Sequence, residues 1–297
     1  MADLWRVLDL SAAECSLESK RGGIIIRRGG EEAVTVSVAD LACVVLGPHV
    51  AMKSGILHHL TEAGTAVLFC DWKGVPEGAA FAWREHTRIG ARRRAQAALT
   101  VPKQKNAWKQ IVRGKIKNQA YTLDGLGKSG DFLISLANSV RSGDPSNVEG
   151  QAARYYWQRL FGSDFNREQH TCEGVNSMLD YAYTVARGHA VRGVLSAGLE
   201  PSLGVFHRHR ENMFSLADDI LEVVRPAIDY EVYRLKSEGY TAVSECRAEL
   251  VAAASRKFSK DGYTIPTILS ELARDLGRYF EGDISQIEIP AWFPSEV

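Results

Sequence analysis

A chain of 297 residues with 36 Lys plus Arg against 36 Asp plus Glu has no net charge to draw it toward one class of partner, so only the local placement of charge is informative. Its length is more than one hydrophobic core usually serves, which predicts two domains. The five cysteines, Cys15, Cys43, Cys70, Cys172 and Cys246, contain no CxxC pair, and no apolar run approaches the length of a bilayer span. A disulfide framework, a zinc finger and a membrane protein are therefore excluded, and a soluble, cytoplasmic chain with reduced thiols is expected.

Residues 4–10, 15–19, 24–28, 34–38 and 41–46 are short β-prone runs separated by the turn signals Gly22-Gly23 and Gly29-Gly30. Residues 53–63 carry Ile56, Leu57 and Leu60 at helical spacing, and 65–70 is an apolar strand that returns to the sheet. His49, His58 and His59 lie in this region, but adjacent histidines on a short helix diverge and read as surface or structural residues. The stretch 71–80, rich in Gly and Pro, breaks the pattern. These signals predict an α+β fold: a β-rich domain over residues 1–72, a linker over 73–84, and an all-helical domain over 85–297.

The helical part opens on a basic tract. Between positions 84 and 117 stand Arg84, Arg88, Arg92, Arg93, Arg94, Lys103, Lys105, Lys109, Arg113, Lys115 and Lys117, with Glu85 the only acid. Trp108, Ile111, Val112, Ile116, Ala120 and Leu123 form a core stripe, while Lys105, Lys109, Arg113 and Lys117 make an i, i+4 ridge on another face. Like charges at that spacing destabilise an isolated helix by about 0.2–0.5 kcal/mol per contact, so the ridge is either well solvated or set against an anion such as a phosphate backbone. Arg88, Arg92 and Arg93 are further candidates for phosphate contact.

A helix is predicted over 131–141, ended by Ser142-Gly143-Asp144-Pro145-Ser146-Asn147, and another from Val148 with Glu149 in its first turn. An acid there is an ordinary partner of the helix dipole unless it is recruited elsewhere. A long helix over 175–195 follows, with His189 near its apolar face as a core histidine. Then comes the stretch 203–226, LGVFHRHRENMFSLADDILEVVRP, with Ser215 and Asp218 spaced as a capping box and Leu216, Ile220, Val223 and Val224 as the buried stripe of one helix. On that phasing Asp218, Asp219 and Glu222 share an arc away from Ile220 and repel each other unless a positive charge sits among them. His207, in the turn after Pro201 and Gly204, can fold back over the start of this helix. A histidine with two carboxylates suits a divalent metal ion, although residue by residue a solvated, acid-rich helix start accounts for the same letters.

Order and spacing decide between these readings. The strings Arg141-Ser142-Gly143-Asp144, Asn147-Val148-Glu149-Gly150, NSMLDYAY over 176–183, GLEPSLGVFH over 198–207 and the segment 215–226 together resemble CRISPR-associated protein one, the integrase subunit of spacer acquisition. The likeness extends to the β domain and to WKQIV over 108–112 and KIKNQ over 115–119, which resemble members from type II systems. It implies Glu149, His207 and Glu222 as ligands of Mg²⁺ or Mn²⁺, with Asp219 close by and His209 and Asp218 as neighbouring alternatives. It also implies a homodimer joined through the β domain, a complex with CRISPR-associated protein two, and double-stranded DNA, both prespacer and CRISPR repeat, as substrate. The reaction implied is transesterification by a prespacer 3′-hydroxyl. A metal-dependent nuclease of branched or single-stranded DNA and a non-catalytic DNA-binding scaffold are the competing readings of the same residues.

Overall fold

The computed structural model describes residues 6–72, 76–82, 86–169, 171 and 173–294, so Leu4, Arg84, Glu85 and Cys172 lie outside the described residues. The chain divides into two compact units, Met1–Ile89 and Gly90–Val297.

The first unit holds two four-stranded sheets. One has the order β1-β5-β7-β8, built from β1 (Arg6–Leu10), β5 (Leu41–Leu46), β7 (Ala66–Cys70) and β8 (Pro76–Ala80). The other has the order β4-β3-β2-β6, built from β2 (Cys15–Lys20), β3 (Gly23–Arg27), β4 (Val34–Ser37) and β6 (Val50–Met52). Strand β5 lies parallel to both β1 and β7, and each of its six residues is buried, which explains its unbroken apolar run LACVVL. Helix α1 (Ser54–Glu62) buries Ile56 and Leu60, which join Leu10, Leu17, Ile24, Leu41 and Leu46 in the core of this unit. The expected strands are present, and residues 76–80 of the expected linker form a strand as well. Pro76–Ala80 pairs antiparallel with β7, and its Gly-Ala composition reflects an edge strand with little side chain to pack.

The second unit is helical among its described residues: α2 (Ile89–Ala97), α3 (Val101–Gly125), α4 (Asp131–Ser139), α5 (Val148–Phe161), α6 (Gly174–Ser196), α7 (Ser215–Leu221), α8 (Arg225–Ser237), α9 (Val243–Ala253) and α10 (Ile265–Glu281). Helix α3 carries the expected stripe, with Trp108, Ile111, Val112, Ile116, Ala120 and Leu123 all buried. Helix α6 packs through small residues, Ala182, Ala186, Gly188, Ala190 and Gly193. A Cβ at Gly193 would come within 3.2 Å of the α10 backbone, so that close approach depends on glycine.

One difference from expectation shapes the site. The segment 215–226 is not one helix: α7 stops at Leu221 and α8 starts at Arg225. Pro226 is the cause, because it has no N–H to continue the ladder and its ring would strike the carbonyl of Glu222. Nor is there a Ser215–Asp218 capping box. Ser215 Oγ donates to Asn212 O, and the Asp218 carboxylate faces Arg187 Nε at 2.7 Å and Asn212 Nδ2 at 2.8 Å.

His189 is buried on α6, its Nε2 3.2 Å from Ser255 Oγ, and burial next to Arg192 drives its pKa down to about 3 from 6.5. The folded state thus holds the imidazole neutral, and the stability this gives is complete above pH 6.5 and lost as pH falls below it, at up to about 1.4 kcal/mol per pH unit. His189→Gln is expected to flatten the acid side of the urea-midpoint profile. An unaltered acid limb would assign the sensitivity to other groups.

Candidate functional site

The site is built on a polar stripe of α3. Lys115, Asn118 and Thr122 follow each other at i, i+3 and i+7 on a face that is otherwise buried. Asn118 Nδ2 donates to Val223 O at 3.0 Å and Thr122 Oγ1 to Pro226 O at 2.9 Å. Val223 O lies in the break between α7 and α8 and Pro226 O in the first turn of α8, so α3 holds the chain on both sides of the bend. The junction is thereby fixed against α3, and Lys115 is brought to Glu222.

Glu149 arrives from α5. The amides that would otherwise claim it are already taken: Val148 N and Glu149 N donate to Asp144 Oδ1 and Oδ2, both at 2.9 Å, and Gly150 N donates to Asn147 Oδ1. Asp144, not Glu149, serves the start of this helix. Glu149 Oε1 is left to accept from Lys115 Nζ at 2.7 Å. The same ammonium lies 2.6 Å from Glu222 Oε2, and Arg225 Nη1 lies 2.9 Å from Glu222 Oε1. Burial raises the Glu222 carboxyl, but Arg225 and Lys115 outweigh it and hold the pKa down at about 2. Lys115 loses ground to burial as well, and Glu222 with Glu149 more than restores it, so the pair is firmly ionised.

His207 is placed by the loop that joins α6 to α7. Asp219, fully buried, reaches under this loop and accepts from Val205 N at 2.6 Å, Phe206 N at 3.2 Å and His207 N at 3.2 Å. Its Oδ1 also lies 2.7 Å from His207 Nδ1, which makes Nδ1 the protonated nitrogen and leaves Nε2 with the lone pair. Asp219 keeps the His207 pKa above its ordinary value against the opposing effect of burial. Gly204 permits this approach, since a Cβ there would stand 2.5 Å from His207 O and 2.8 Å from Asp219 Oδ2. A second clamp comes from α2. Gln96 Nε2 donates to Glu200 O and Leu203 O, and its Oε1 accepts from Glu200 N at 2.8 Å.

The three acids of 218–222 therefore do not share one solvent-facing arc. All are buried, and each meets its own partner: Asp218 the Arg187 guanidinium, Asp219 the His207 Nδ1–H, and Glu222 the cations Lys115 and Arg225. Among the described residues no three His, Cys, Asp or Glu side chains converge closely enough to hold a metal ion. The chemistry of the set nonetheless fits a divalent ion. Two carboxylates from different helices already share one positive charge, the imidazole keeps a lone pair on Nε2, and Glu222 Oε2 is a buried acceptor without a directed hydrogen bond despite its short ion-pair distance. Lys115 was hidden in the basic tract, and Arg225 and Gln96 drew no notice. The signal for Lys115 was its phase, about 200° around the helix from Arg113 at 100° per residue and in line with Asn118 and Thr122.

The ridge proper faces elsewhere. Lys109, Arg113 and Lys117 line a groove of about 390 Å³ together with Asn106, Ser285 and Gln286, and they make no ion pair among the described residues. Lys105 is exposed. The expectation for Arg92 is corrected. Its side chain turns inward, Nε to Glu281 Oε2 at 3.2 Å and Nη1 to Ala197 O at 2.6 Å, and it is only 6% exposed, so it is closed to a phosphate and instead supports the end of α6. Arg93 pairs with Glu200 at 3.5 Å, whereas Arg88 is exposed.

These features define an α+β protein whose helical unit brings two glutamates onto one lysine beside an aspartate-tethered histidine. The chain belongs to the family described as CRISPR associated protein Cas1, whose model matches residues 9–250. It is 35% identical over 239 residues to a CRISPR-associated endonuclease Cas1 of Neisseria meningitidis, covering 79% of this chain and 77% of that protein. A second relative, from Pyrobaculum aerophilum, is 26% identical over 282 residues, with 88% and 95% covered. The fold matches a CAS1 protein from Thermotoga maritima with a TM-score of 0.77 at 18% identity, covering 98% of this chain and 100% of that one. It also matches a casposase bound to integration product, with a TM-score of 0.76 at 17% identity and 96% and 93% covered.

Gln96→Leu keeps the volume at this position but takes the side-chain partner from the Glu200 amide and the Leu203 carbonyl in the loop before His207, while Glu200 O keeps its bond from Leu203 N. It is expected to cost about 2 kcal/mol or more and to speed amide exchange over residues 200–207. Wild-type exchange in this variant would show that the loop does not depend on α2.

Proposed function

We propose that this protein is a metal-dependent DNA integrase and endonuclease of CRISPR adaptation, which joins prespacer 3′-hydroxyl ends to the CRISPR repeat by transesterification. The observation that carries the reading is the convergence of Glu149 and Glu222 on one cation next to a histidine that Asp219 orients. Glu149, Glu222 and His207 Nε2 would hold Mg²⁺ or Mn²⁺, which when bound favours the alkoxide and neutralises charge on the crowded phosphate.

The chain's own groups supply the rest. Asp219 fixes the imidazole and its tautomer, Lys115 and Arg225 keep Glu222 ionised, and Asp144 releases Glu149 from capping duty. In the step itself the prespacer 3′-hydroxyl gives up its proton to solvent as its oxygen bonds to phosphorus of the repeat, the bond to the displaced 3′-oxygen breaks, and that oxygen takes up a proton from solvent. Lys105, Lys109, Arg113 and Lys117 track phosphates on the face of α3 turned away from Lys115. The relatives named endonucleases, and a fold shared with a casposase bound to integration product and with about a third of a chain from a Cas6-RT-Cas1–Cas2 complex (TM-score 0.75, 36% of that chain covered), support this chemistry. Homodimerisation through the β-rich unit and assembly with CRISPR-associated protein two belong to the same reading.

Duplex DNA with free 3′-hydroxyl ends, offered with repeat DNA and Mn²⁺, should give joined product, whereas cleavage without joining would favour a plain nuclease. Glu149→Ala, His207→Ala and Glu222→Ala are each expected to lower strand transfer more than about a hundredfold while duplex binding persists. Full activity in any one of them would remove that residue from the site. Neutralising the four ridge residues should flatten the salt dependence of DNA binding by about one unit of slope per lost contact, and an unchanged slope would make the ridge a solvated face.

A further inference from the structure

We propose that the outer face of the Phe206 ring is a stacking platform for one unpaired nucleobase, next to the His207–Asp219 pair. The proposal rests on the reading of the substrate as nucleic acid and adds how its reacting end is held. Phe206 lies flat on Trp108, with ring centroids 4.1 Å apart and planes 1° from parallel. Trp108 is buried, yet Phe206 is 49% exposed, so one face of its ring is covered and the other is open to solvent. The ring is also held in place. Its backbone N–H donates to Asp219 Oδ2, and the imidazole of His207 meets its edge at 5.6 Å and 82°.

A lid over Trp108 would need only apolar cover, which a leucine provides. A flat, rigid aromatic face in water offers more: a surface for another π-system, bound with little loss of motion on the protein side. The flanking residues indicate which π-system. Phe206 shares its loop with Arg208 and Arg210, and an aromatic face near cations is the combination that takes single-stranded nucleic acid, the cations meeting the backbone and the ring a base. Every base has a π face, so the platform selects an unpaired base over a paired one and not one base over another. A base stacked on Phe206 brings its adjoining phosphodiester to the imidazole. Phe206 is thus a positioning residue for the strand end.

The test uses duplex DNA with short unpaired 3′ ends in which 2-aminopurine, or an abasic residue, is scanned along the end. At one position the wild-type protein should quench 2-aminopurine and bind the base-bearing end about tenfold or more tighter than the abasic one. Phe206→Leu should lose the quenching and the preference together, and Phe206→Tyr should keep both. If Phe206→Leu weakens base-bearing and abasic ends equally, the ring is only a lid over Trp108 and the platform is overturned. If wild-type protein binds DNA without any difference between base and abasic ends, the platform alone fails. Absence of DNA binding altogether would remove the functional reading and the platform with it.

Discussion

The Lys115 ammonium, held between Glu149 and Glu222, is the contact on which the rest of the helical unit depends. Taking the Glu222 carboxylate out of water is costly, and it becomes tolerable only because Lys115 and Arg225 come with it. Removing one partner from such a buried set typically costs about 3–5 kcal/mol, because the charge left behind has nothing to face. That constraint ties three places in the chain together: the middle of α3, the first turn of α5 and the break before α8. Each has a local device that delivers its residue, namely the Lys115-Asn118-Thr122 stripe, the Asp144 and Asn147 caps, and Pro226.

Asp219 gives the loop around His207 the same kind of dependence. One buried carboxylate accepts three consecutive backbone amides and the imidazole, so the histidine's tautomer, its ring orientation and the fold of its own loop follow from a single side chain. Gln96 and Arg92, from α2, hold the other end of that loop. The basic tract thus divides by partner. Arg92 and Lys115 are engaged by Glu281 and by Glu149 with Glu222, whereas Lys109, Arg113 and Lys117 line an open groove.

Much of this could be read in the sequence where one physical signal dominated. The run 41–46 announced a strand, and the Trp108 to Leu123 stripe announced the core face of α3. Pro76–Ala80 was obscured because Gly and Pro mark an edge strand and a linker alike. The end of α7 at Leu221 was visible in Pro226, but apolar Val223 and Val224 extended the apparent stripe past it. The positions Glu149, His207 and Glu222 came from resemblance, since first-turn acids are common and nothing local separates Glu149 from Asp144. What no pattern could provide is the pairing: that Lys115 belongs to the acids and not to the ridge emerges only when three helices are assembled.

If Glu149 and Glu222 form one cation site, each should be needed for the other to bind a divalent ion. Titrating Mn²⁺ into the purified protein, followed by its paramagnetic resonance signal, tests this without any DNA. The account predicts one tightly bound ion per chain in the wild type, lost in both Glu149→Gln and Glu222→Gln, with the fold intact by circular dichroism. Undiminished Mn²⁺ binding in both variants would contradict it.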